Sequence, residues 1–134
     1  MLKVGVLGAG HLGKIHLRLL KESNSYDLIG FYDPDTKAAK ALSEKKLYTA
    51  FDTMEALIEA VDVVDIVTPT KIHHEMAIQC LTAGKHVFIE KPITQTIAQA
   101  EEIVQLANAR GLKGQVGHVE RFNPAFKAIK QHIE

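Results

Sequence analysis

Cysteine is nearly absent from this chain: Cys80 stands alone, which excludes an internal disulfide framework and a cysteine-rich metal site. Net charge is absent as well. Sixteen Lys and Arg balance sixteen Asp and Glu, so no overall field steers a polyanion, and neither nucleic acid nor an anionic membrane is an expected partner. No apolar run approaches the roughly 18–20 residues that cross a bilayer. Met1-Leu2-Lys3-Val4 enters a strand pattern without a signal-peptide core, so a cytoplasmic protein is expected. No internal repeat and no low-complexity linker interrupts the chain. What is present is 134 residues, 46% hydrophobic and 24% charged, which suits one globular domain with its own core.

The pattern alternates strand and helix. Lys3 to Leu7 is a valine-rich apolar run ending at Gly8, the signature of a buried strand. A helix over about 11–23 carries Leu12, Ile15, Leu19 and Leu20 on one stripe. Asp27 to Tyr32 is a second strand, closed by the turn Asp33-Pro34-Asp35, and a helix follows to about Lys46. Thr53 caps a short helix whose apolar face is Met54, Leu57 and Ile58. Val63 to Val67 is a strand ending at Thr68-Pro69-Thr70, and a helix over about 72–82 stops at Gly84. Cys80 shares a stripe of that helix with Met76 and Ala77, a core position. His86 to Ile89, a helix from Thr94 bearing Ile97, Ile103, Val104 and Ala107, and a strand over Lys113 to Val119 complete the alternation. Asn123-Pro124 then opens a helix running to the chain end. Strands separated by helices imply a doubly wound parallel sheet covered on both faces. The last helix has no visible partner, so the chain reads as the front part of a longer enzyme.

Gly8-Ala9-Gly10-His11-Leu12-Gly13 is G-x-G-x-x-G at a strand-to-helix turn. The glycines suit a tight turn, close backbone approach to a pyrophosphate and close helix–strand packing, while the helix start offers free N–H groups and a positive dipole end. Asp33 follows the last glycine by about 20 residues, where a carboxylate accepts hydrogen bonds from ribose hydroxyls. That carboxylate repels a 2′-phosphate, and the nearest base, Lys37, falls on a solvated helix face. NAD is therefore expected over NADP.

The last chemistry-bearing segment is Ala83-Gly84-Lys85-His86-Val87-Phe88-Ile89-Glu90-Lys91-Pro92: a helix end, a buried strand, and a Glu-Lys pair against proline. Ligands of such sheets stand at the carboxyl ends of the strands. A lysine there, partly buried beside a cationic nicotinamide, would have its pKa depressed toward a range useful in proton transfer. Glu90 either orients Lys91 or the cofactor amide or is a surface charge. His74 adjoins His73, but adjacent helix residues point in different directions, so no metal site is expected. His16 is read as a packing residue.

The glycine motif, Thr68-Pro69-Thr70 with His73, and Ala83 to Val87 leading to Glu90-Lys91-Pro92 together resemble the Gfo/Idh/MocA oxidoreductase family over essentially the whole chain. The resemblance implies a Rossmann domain, here 1–120, followed by a larger α/β domain that carries substrate contacts and often oligomerises. Gln115 to Pro124 looks like the crossing segment, so that 121–134 would begin the second domain. Its Glu-Arg-Phe-Asn-Pro looks closest to members acting on nucleotide-activated N-acetylhexosamines.

By position, Lys91 matches the lysine near the nicotinamide that contacts the substrate hydroxyl, and Pro92 the family's cis-proline. Thr68, Pro69 and Thr70 would line the nicotinamide side, though Thr70 stands where asparagine is common. His73 matches the histidine opening the next helix, either as a cofactor contact or as a capping and packing residue. Arg121 and Asn123 either reach a substrate phosphate or cap a helix. The implied activity is hydride transfer between nicotinamide and a secondary hydroxyl of a sugar, nucleotide sugar or cyclitol. The alternatives are an NAD-dependent glycosidase of the same fold and a non-catalytic NAD-binding module. On the enzyme reading, these 134 residues alone bind NAD and turn nothing over, with oligomerisation and substrate contacts residing in the second domain.

Overall fold

The computed structural model describes residues 1–130 and 132–133. Five strands, β1 (Leu2–Leu7), β2 (Tyr26–Tyr32), β3 (Val63–Ile66), β4 (His86–Ile89) and β5 (Gly114–Val116), form one parallel sheet in the order β2-β1-β3-β4-β5. The helices between them are α1 (His11–Glu22), α2 (Thr36–Lys46), α3 (Met54–Ala60), α4 (His73–Thr82) and α5 (Ile97–Ala109). The doubly wound α/β expectation holds. From β1 the chain first moves outward to β2, then returns to the far side of β1 as β3. That reversal opens a crevice at the carboxyl ends of β1 and β3, where such sheets bind ligands.

Two cores lie on opposite faces. Leu7, Val64, Ile66, Val87 and Ile89 meet Leu57 and Ile58 of α3, Ala77, Cys80 and Leu81 of α4, and Ile103 and Ala107 of α5. Val6 and Phe31 meet Leu17 of α1 and Ala39 of α2. The second face is covered only over β1 and β2. Beyond α1 it opens into a groove lined by Asp65, Phe88 and Gln115. Helix starts follow local chemistry, since the side chains of Asp35 and Thr53 accept from Ala38 N–H and Ala56 N–H. Gly84, at φ +77°, lets the chain leave α4 through a conformation that side chains resist.

Several sequence expectations need correction. On α1 the residue driven into the core is Leu17, whereas Leu12 and Leu19 are exposed. Both stripes have helical spacing, and the sheet selects the one bearing Gly13, where the helix comes closest to the strand. Helix α5 begins at Ile97 rather than Thr94, because Thr96 is the residue whose hydroxyl accepts from Gln99 N–H. Ile97 and Val104 face outward. Strand β5 covers three residues, since beyond Val116 the chain curls and His118 N–H donates to Val116 O. Strand β3 ends at Ile66, and residues 70–72 form a single 3-10 turn before α4. The last helix, α6 (Pro124–Lys130), buries no residue. Its expected run to the chain end falls partly on residues 131 and 134, outside the described residues; His132 and Ile133 form a turn.

Candidate functional site

The turn after β1 is built by steric necessity. Gly8 has φ +95°, and a Cβ on it would stand 2.6 Å from the carbonyl oxygen of Val67. A Cβ on Gly13 would collide with the Gly8 carbonyl oxygen, so α1 could not seat against the strand. Gly10 differs, because a Cβ there would meet nothing. It fronts open space at the start of α1, whose first turn carries neither a side-chain cap nor an acidic residue. The helical ladder opens with Lys14 N–H on Gly10 O at 3.1 Å, so the earlier amides are left to whatever lies beyond the helix end.

Asp33 closes the turn from the side. Its Oδ2 accepts from Ala9 N–H at 2.7 Å and its Oδ1 from Asp35 N–H at 2.9 Å. Each oxygen keeps a second lone pair, so a fixed carboxylate faces the space at the end of β2. One cavity of about 480 Å³ gathers Gly8, Gly10, His11, Leu12, Asp33, Thr68, Pro69, Thr70, His73, Glu90 and Lys91. Of the residues expected from sequence to bind the cofactor, Gly13 and Pro92 do not line it. Gly13 works from beneath, through packing. Pro92 follows the cis Lys91–Pro92 bond, as the resemblance implied.

His73 is buried, and its nitrogens bridge Thr68 O at 2.8 Å and Pro92 O at 3.0 Å. The residue also borders the cavity, so its two readings, packing and cofactor contact, meet at one position. His74 turns away to Glu102 at 2.7 Å, and among the described residues no cluster suited to a metal is found. The Thr68 hydroxyl is buried without a hydrogen-bond partner at the cavity wall, a vacancy that a polar ligand group would fill. Lys91 is exposed, against the expected partial burial. Asn123 caps locally: its Oδ1 accepts from Ala125 N–H and its Nδ2 donates to Glu120. Arg121 lines a larger hollow, of about 1050 Å³, that reaches Lys91.

His16, expected as a packing residue, does more than pack against Phe88. Its Nδ1 lies 2.8 Å from Asp65 Oδ2 and its Nε2 lies 3.3 Å from Glu90 Oε1. The hydrogen bond with Asp65, reinforced by the charges of Asp65 and Glu90, raises the imidazole above its ordinary value despite burial. Burial in turn pushes the Asp65 carboxyl upward, with His16 pulling it back. Sequence reasoning missed this arrangement, although one signal was present. An aspartate inside an otherwise apolar buried strand demands a partner.

The family model for the oxidoreductase family with an NAD-binding Rossmann fold, Gfo/Idh/MocA, matches residues 2–118. The chain belongs to that family. It is 35% identical over 130 residues to a UDP-N-acetylglucosamine 3-dehydrogenase of Acidithiobacillus ferrooxidans, covering 97% of this chain and 41% of the relative. A crystal form of that enzyme superposes with a TM-score of 0.88 at 34% identity, over 98% of this chain and 43% of the other. A myo-inositol 2-dehydrogenase of Thermotoga maritima is 30% identical over 99% of this chain and 41% of its own length. A gentamicin-biosynthesis protein solved in complex with NAD superposes with a TM-score of 0.81 at 27% identity, over 87% of this chain and 34% of the other. The chain thus spans about two fifths of the length of the curated relatives it matches. Among the described residues, no helix is long and apolar enough to cross a membrane.

Proposed function

We propose that this NAD-binding domain serves a dehydrogenase that moves a hydride between nicotinamide and the carbinol carbon of a secondary hydroxyl. The substrate class is a sugar, nucleotide sugar or cyclitol, in keeping with the activities printed for the relatives. The observation that carries the reading is the joining, in one cavity, of the glycine turn, the Asp33 carboxylate and the Lys91 amine. Bound there, NAD supplies the hydride acceptor. The first amides of α1 hold the pyrophosphate, Asp33 accepts from ribose hydroxyls, and the orphaned Thr68 hydroxyl meets the nicotinamide half.

Lys91 stands at the rim with its amine outside any hydrogen bond or ion pair among the described residues, free to meet a substrate hydroxyl. Oxidation of that alcohol sends two electrons and one hydrogen nucleus to the ring as hydride, and the hydroxyl proton must leave separately. The hollow shared by Lys91, Arg121, Lys127 and Phe126 adjoins the same rim and suits an anionic substrate. A boundary near residue 120, with 121–134 as the start of a second domain, is supported by the failure of α6 to bury any residue.

Calorimetric titration of the chain with NADH and NADPH tests the reading. NADH is expected to bind at least about tenfold more tightly, with Asp33→Ala narrowing the gap, because a fixed carboxylate repels a 2′-phosphate. Tighter binding of NADPH would overturn the choice of cofactor, and binding of neither would overturn the proposal.

A further inference from the structure

His16 and Asp65 lie outside the strand-end cavity, and Glu90, at its wall, joins them to it. A neutral imidazole carries one N–H, so it can donate to one carboxylate only, whereas the imidazolium donates to both. Nδ1 is hydrogen-bonded to Asp65 Oδ2 at 2.8 Å and Nε2 lies at an ion-pair distance of 3.3 Å from Glu90 Oε1, so a protonated ring faces a carboxylate on either side. Its other contacts are few. Asp65 Oδ1 is buried without a hydrogen-bond partner, which leaves His16 to compensate that charge. Glu90 uses its second oxygen to accept from Lys91 N–H at 3.0 Å. A Cβ on Gly117, beyond β5, would stand 2.7 Å from Glu90 Oε1, so the glycine leaves room for the carboxylate.

The groups facing His16 from each packed element can be named. Strand β3 offers Asp65 and β4 offers Phe88, whose ring lies edge-on at 6.1 Å, followed by Glu90. Strand β1 contributes Val4, β5 contributes Gln115, and Tyr26 of β2 is the remaining ionisable group along the groove. One member, Glu90, faces both ways, since it also lines the strand-end cavity with Gly10, Thr68 and Lys91. A change of charge in that cavity is thus felt by His16 through a single intervening carboxylate.

Resting on the proposed function, we infer that His16 is a redox-linked proton site, holding its proton beside the uncharged reduced nicotinamide and yielding it beside the cationic oxidised one. The balance closes. Oxidation of a secondary alcohol by NAD gives a ketone, the reduced cofactor and one proton. As hydride arrival removes the ring's positive charge, the proton affinity of His16 rises, and the hydroxyl proton has a place to go. By linkage the effect is reciprocal: a proton on His16 weakens binding of the oxidised cofactor relative to the reduced one. His16 touches neither the substrate nor the ring on this account, and acts through Glu90.

The test is an NMR titration of the His16 imidazole, assigned by comparison with His16→Gln, in the free chain and in the presence of NAD+ or NADH. The midpoint is expected about one pH unit lower with NAD+ than with NADH, a tenfold difference in proton affinity. Correspondingly, the ratio of the two dissociation constants should change about tenfold across that pH range in the wild-type chain and stay flat in His16→Gln. Glu90→Gln should lower the midpoint of the free chain, because it removes a negative charge 3.3 Å from Nε2. Equal midpoints in the two complexes would overturn this inference while leaving the proposed function standing. Failure of both dinucleotides to bind would remove the function and the inference together.

Discussion

At the scale of single residues, the site rests on positions where one atom more or less decides the outcome. Gly8→Ala places a methyl group against the Val67 carbonyl at a positive φ, so urea unfolding should show a loss of about 1–3 kcal/mol. His16 gives a pH signature of definite sign. Its folded pKa lies above that of the unfolded chain, about 6.5. The stabilisation is therefore complete below about 6.5 and fades as pH rises through the folded value. Urea midpoints measured in steps from about pH 6 to 9 should fall in the wild-type chain and flatten in His16→Gln. The difference between these two sites is also a difference in legibility. Gly8 to Gly13 and Asp33 were readable because their chemistry depends on local spacing. The partners of His16 are 49 and 74 residues away in sequence, and nothing in its neighbourhood announces them.

At the scale of elements, capping explains where helices begin better than apolar periodicity does. Thr53 was identified as a cap and accepts from Ala56 N–H at 3.1 Å. The sequence pattern starts α5 at Thr94 rather than at the cap Thr96, since both precede the same apolar run with only Gln95 between them. In the structure Thr94 is half of a separate device, its hydroxyl donating to Thr96 O at 2.8 Å. Thr96→Ala should therefore cost about 1 kcal/mol in chemical denaturation, without change in the strand signal of the circular dichroism spectrum. The α1 stripe holds at Leu20, which packs against the core, and departs at Leu12 and Leu19 for a related reason. Leucines on two faces of one helix have equal periodicity, and only the sheet, approached most closely at Gly13, breaks the tie in favour of Leu17.

At the scale of the whole molecule, alternation of strand and helix was sufficient to specify the parallel sheet, because connections of this length leave few topologies. It could not specify how completely each face would be covered, which depends on where helices land rather than on their number. The larger core encloses Cys80, whose thiol is pushed up to about 12 by burial. Alkylation at about pH 8 should accordingly proceed only through opening of that core, so its rate should track global stability across destabilised variants. Reaction at the rate of a free thiol in the folded chain would show that α4 separates from the sheet on its own. The bridge from His73 to Thr68 O and Pro92 O has a consequence of another kind. It ties the loop after β3 to the turn after β4, so these two walls lose the freedom to part. A crevice tied in this way is expected to leave an arriving dinucleotide less ordering to impose than two independent loops would. On the proposed function, the contacts at the phosphates and riboses, rather than a gate at these walls, are then expected to set the pace of cofactor exchange.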